Sequence, residues 1–139
     1  RRCRTRQPAD FAPEDYATLA RHFPEWDMAT GHGDQLSTRL QTAYSWLTAR
    51  KEAVPLVIVG HCTCGCDRTG EFFGAYYMQF QGWNFTRAMR YDEGVPLRHI
   101  SYGAQVPVQW YCGWLFSQDP VKYHQLTDCR NCKPFRCHH

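Results

Sequence analysis

The stretch VIVGHCTCGCDRTGEFFGAYY, residues 57–77, constrains this chain more than any other. An apolar, β-branched run at 54–59 stops at Gly60, a tight loop with three cysteines and an arginine follows, and an apolar helical pattern begins after Arg68. An apolar run of that length without alternation is the pattern of a strand buried on both faces of a parallel sheet. A strand, a loop and a helix in that order predict an α/β domain.

The flanking periodicity adds helices. PEDYATLARHF places Tyr16, Leu19, Ala20 and Phe23 at helical spacing behind an acidic first turn. Residues 36–50 put Leu36, Leu40, Ala43, Tyr44 and Leu47 on one face, with Asp34 or Ser37 as cap. Beyond the loop, TGEFFGAYYMQFQG, NFTRAMRYD and VQWYCGWLFSQ read as three more helices, so the C-terminal half is helix-rich. Tyr76, Tyr77, Phe80, Trp110, Tyr111 and Trp114 are expected in the core rather than around a ligand. The whole of 1–139 is one domain: an N-terminal segment (1–33), a core (34–118) and a Cys/His-rich tail (119–139). Only one strand is evident, and a parallel sheet needs several, so its companions are expected in the N-terminal stretch or ahead of residue 1.

With 139 residues, 43% of them hydrophobic, the chain has material for one core. A net charge of +3, without a Lys/Arg run, excludes an extended nucleic-acid surface and suits a small anionic partner. No apolar run approaches the ~20 residues that span a bilayer, so no membrane span is expected. The opening RRCRTRQ, without methionine, predicts a processed or incomplete start. Eight cysteines favour disulfides in a secreted or secretory-lumen protein over a reduced cytoplasmic one. The candidates are Cys3, Cys64, Cys66, Cys112, Cys129, Cys132 and Cys137, with Cys64 and Cys66 expected to lock the loop to Cys112 or to the tail. In such a compartment NFT makes Asn84 a glycosylation candidate.

The loop itself has a chemistry. Inward amides at a helix start form a nest for an anion such as phosphate, and Gly65 lets the backbone turn close to it. Thr63, Cys64, Gly65, Cys66, Asp67 and Arg68 would line this nest. The same amides would hold Cys62 as a nucleophilic thiolate. Arg68 can grip two phosphate oxygens, and Thr69 can donate its hydroxyl to the sulfur. His61 is placed to orient the loop rather than act as base.

HCTCGCDRT, Cys62 through Arg68 between His61 and Thr69, resembles the H-C-x5-R-[S/T] signature of cysteine-dependent protein tyrosine and dual-specificity phosphatases. The resemblance implies a cysteine-phosphatase-like parallel-sheet fold and hydrolysis of phosphate monoesters, phosphotyrosine or a small phosphoester, through a cysteinyl-phosphate on Cys62, without a cofactor. It implies a general-acid aspartate on an upstream loop: Asp27, beside Trp26, is the first choice, with Asp34 and Asp10 behind it. Gln105 falls where such enzymes carry a glutamine that positions water. Asp67 departs from the tyrosine phosphatase pattern, and DRT is similar to related phosphoinositide phosphatases.

Two other readings stay open. One is a non-catalytic secreted glycoprotein that keeps the fold as a scaffold and binds a partner chain or assembly. The other is a zinc module joining His61, Cys62, Cys64 and Cys66 with Cys129 and Cys132 of the tail, although a cation there would be repelled by Arg68.

Overall fold

The computed structural model describes residues 8–23, 35–49 and 55–130. A 3₁₀ turn at Pro8–Asp10 leads into helix α1 (Pro13–Ala20), followed by α2 (Leu36–Thr48), α3 (Asp67–Phe80), α4 (Phe85–Gly94) and α5 (Tyr102–Gln118). These helices lie where the periodicity predicts them.

Helix α5 is the axis of the core. Its Val108, Tyr111, Cys112 and Leu115 are all fully buried, and burial extends round most of its circumference. A helix that is apolar on nearly every side needs neighbours on every side. Among the described elements α1, α3 and the 3₁₀ turn pack on α5, while α4 and α2 pack on α3. The Tyr16 hydroxyl of α1 donates to the Gln109 carbonyl at 2.6 Å, and Tyr111 donates to Gln79 Oε1 at 2.7 Å, so the two buried phenols satisfy their polar ends on neighbouring helices. On α3, Gly70 faces Ile100, and a methyl group built there would lie 2.6 Å from Ile100 Cδ1. The absence of a side chain brings the chain around Ile100 against the helix.

The ends of the helices are specified locally. Pro13 opens α1, with Glu14 and Asp15 in the first turn facing the positive end of its dipole. Asn84 caps α4 by accepting from the Arg87 amide at 2.8 Å. Asp128 accepts from the Phe85 and Thr86 amides at 3.0 and 2.9 Å, so the segment after α5 serves the start of α4. A disulfide joins Cys112 of α5 to Cys129, with Cα atoms 5.5 Å apart.

The α/β parallel-sheet fold is overturned. Among the described residues there is no strand and no sheet: the molecule is all-helical there. Residues 55–60 form no regular element. Leu56 and Ile58 are half-buried and line one cavity with Ala43, Phe72 and Tyr76, whereas Val57 and Val59 are 77% and 80% exposed. Side chains therefore alternate along this segment, but among the described residues no neighbouring backbone pairs with it to make a ladder. A continuous apolar run does not by itself supply a second covered face.

Candidate phosphate-binding loop

Residues 61–66 connect that segment to α3, which begins at Asp67. Gly65 has φ +67° and open space around its missing side chain, the left-handed turn expected of a glycine at this point. The turn delivers Cys62 beside the first residues of α3. Its thiol pKa is lowered to about 5, first by the Thr69 hydroxyl, then by the Thr69 amide, with smaller help from the amides of Cys64 and Cys66. Cys62 is a thiolate at neutral pH. Thr69 Oγ1 is shielded from solvent and forms no complete hydrogen bond, so its approach to the sulfur is looser than a finished one.

A cavity of about 270 Å³ opens on this sulfur, lined among others by Arg39, His61, Cys62, Arg68 and Thr69. Arg68 is exposed, and its Nη2 reaches Thr63 Oγ1 only at 3.5 Å, a weak contact that leaves the guanidinium accessible to an anion. Arg39, on α2, brings a second guanidinium to the same cavity; at the sequence level it is one more polar residue on an amphipathic helix. A larger cleft of about 390 Å³ lies elsewhere, against Tyr16, Phe116 and Leu126, and its cysteine, Cys129, is in the disulfide. Cys62 lines the smaller cavity.

Asp67 anchors the loop. Its carboxylate accepts from Arg98 Nη2 at 2.8 Å and from the Ser101 amide at 2.7 Å, and Arg98, then Ser101, hold its pKa below the usual carboxylate range. Arg98 also places Nη2 3.3 Å from Cys64 Sγ. Nothing in local sequence spacing announces Arg98, which arrives from a turn 31 residues away. The Cys66 thiol is buried and donates to the Cys64 carbonyl at 3.0 Å.

The other candidates are dispersed. His61 is exposed, with Nδ1 3.3 Å from the Cys62 carbonyl oxygen. Gln105 is buried in α5, apart from the residues around the Cys62 cavity. Asp10 ends the 3₁₀ turn and does not line that cavity either. Asn84 is exposed, with its side-chain oxygen committed to the cap of α4. Asp27, Asp34, Cys3, Cys132 and Cys137 lie outside the described residues. Cys62, Cys64 and Cys66 are free thiols, and the bridge expected from Cys64 or Cys66 to Cys112 is not made, because Cys112 is joined to Cys129. Among the described residues no three His, Cys, Asp or Glu side chains converge as metal ligands, so His61, Cys62, Cys64 and Cys66 do not assemble the set that the zinc reading needs.

Asp92, like Arg39 and Arg98, is not announced by the local sequence. Asp92 of α4 is only 8% exposed, its Oδ2 has no hydrogen-bond partner among the described residues, and burial, assisted by Glu93, raises its pKa to about 8. It shares a second cavity, about 320 Å³, with Thr69 and Gly70 at the start of α3. No helix among the described residues is long and apolar enough to cross a membrane.

Comparison with protein-family models, with curated proteins and with solved structures finds no match for this chain.

Proposed function

We propose that the chain hydrolyses phosphate monoesters, phosphotyrosine or a comparably small phosphoester, at Cys62. One observation carries this reading: an ionised, half-exposed thiolate and an accessible arginine share one cavity at the start of a helix. The thiolate attacks phosphorus and expels the alkoxide or phenolate, forming a cysteinyl-phosphate. Water then attacks the same phosphorus, and Cys62 leaves as thiolate. Arg68 binds the phosphoryl oxygens during both displacements, and the Thr69 hydroxyl stabilises the departing sulfur. The leaving group takes its proton from Asp27 in this scheme, an assignment that rests on the sequence pattern. The Cys112–Cys129 disulfide supports placing the protein in an oxidising compartment.

The test is turnover of an activated aryl phosphate by the full chain under mild reduction. Turnover abolished in Cys62→Ser and in Arg68→Ala supports the hydrolase. No turnover by the native chain favours the scaffold reading. With unactivated alkyl phosphates, Asp27→Asn lowers kcat by about 10²-fold while sparing substrates whose leaving group needs no proton.

A further inference from the structure

The loop holds two cysteines that the hydrolytic scheme does not use, and their surroundings differ in a chemically ordered way. Cys64 is exposed and Cys66 is buried. Arg98 lies 3.3 Å from the Cys64 sulfur, and the ion pair with Asp67 at 2.8 Å keeps the guanidinium in place. Cys66 points its thiol at the Cys64 carbonyl, 3.0 Å away, so the two residues fold back on one another across Gly65, whose positive φ makes the turn. Cys62 draws its stabilisation from a separate source, Thr69 and the loop amides.

We propose that Cys64 and Cys66 are a redox-active dithiol that exchanges with low-molecular-weight disulfides, Cys64 attacking and Cys66 resolving. The Cys64 thiolate attacks one sulfur of a disulfide RSSR, forms the mixed disulfide and releases RS⁻. Cys66 gives its proton to solvent and attacks the Cys64 sulfur, closing the Cys64–Cys66 bridge and releasing the second RS⁻. The protein thiols lose two electrons and the small disulfide gains them. The direction of titration agrees with this division of labour: contact with Cys66, then Arg98, lowers the Cys64 pKa, while contact with Cys64 raises that of Cys66. An attacker needs to be ionised and reachable, and a resolver needs to stay protonated until the mixed disulfide forms.

The experiment exposes the full, reduced chain to oxidised glutathione, alkylates the remaining thiols and maps the peptide carrying all three cysteines by mass spectrometry. The expected product has Cys62 alkylated and Cys64 bridged to Cys66, and it forms equally in Cys62→Ser. Arg98→Ala slows bridge formation by about tenfold, and Arg98→Lys restores most of the rate. A bridge that contains Cys62, no bridge at all, or a rate indifferent to both Arg98 variants overturns the assignment. Because the readout is mass, the outcome is independent of whether aryl phosphate is turned over.

Discussion

Helix α5 and the loop before α3 are built on opposite terms. Around α5, Val108, Tyr111, Cys112 and Leu115 are buried on all sides, buried phenols have partners, and a disulfide ties in the following segment. Residues 55–66 instead carry exposed valines and free thiols, and just beyond them the Thr69 hydroxyl forms no complete hydrogen bond among the described residues. The loop is fixed at its edge by Asp67, Arg98 and the Ser101 amide rather than by burial. Stability and reactivity are thus housed in different places, and substitutions should separate them.

The largest separation is expected at the sulfur. Cys62→Ser lowers aryl phosphate turnover by about 10⁴-fold or more while thermal unfolding, followed by circular dichroism, changes little. With the thiolate forming at about pH 5, kcat/KM for an activated aryl phosphate whose leaving group needs no proton rises through that value and then levels. Removing the chief cause of the depression in Thr69→Ala moves this acid limb upward. A limb that stays in place would show that the amides alone hold the charge.

The reverse outcome belongs to the core. Phe85 is fully buried, and Phe85→Ala costs about 3–5 kcal/mol in urea unfolding without altering the turnover of the molecules that remain folded. Replacing Cys112 and Cys129 by alanine opens a link spanning 17 residues and costs about 3 kcal/mol. A parallel fall in kcat per folded molecule would mean that core and loop are coupled.

Most of the helices were legible because a 3.6-residue period survives in the sequence; Leu36, Leu40 and Ala43 fall on one buried face as their spacing says. Cys62, Arg68, Thr69 and Gly65 were legible because they are neighbours in the chain as well as in space. Arg39, Asp92 and Arg98 were not, since each reaches the loop region through tertiary packing. The strand was misread for a related reason. Whether 54–59 is covered on both faces depends on what lies across from it, and local composition carries no record of that.

Asp92 tests the border between the two regions. Its carboxyl, ordinarily near 3.8, titrates at about 8 in the fold, so the folded protein keeps a proton that the unfolded chain has released between those values. Stability therefore falls as pH rises through that window and levels above it. Asp92→Asn, which mimics the protonated form, removes the slope: little difference near pH 4, and a gain of several kcal/mol near pH 9. A variant whose stability still fell across the window would assign the slope to other groups.

The smallest expected effect decides the most about the fold. Val57 and Val59 point outward at 77% and 80% exposure, so Val57→Lys and Val59→Lys each shift urea unfolding by less than about 0.5 kcal/mol. Were the segment a central strand, each lysine would place a charge inside the sheet and cost several kcal/mol. The same substitutions leave Leu56 and Ile58, the half-buried members of the run, at the cavity they line with Ala43 and Phe72, so loop position and turnover are retained. Leu56→Lys and Ile58→Lys are the matched contrast, since they place a charge on the half-buried side of the segment, at the cavity shared with α2 and α3. A large penalty at 57 and 59, equal to that at 56 and 58, would mean that both faces are covered in solution, and the distinction between a packed core and an open loop would end at Gly60 rather than at Pro55.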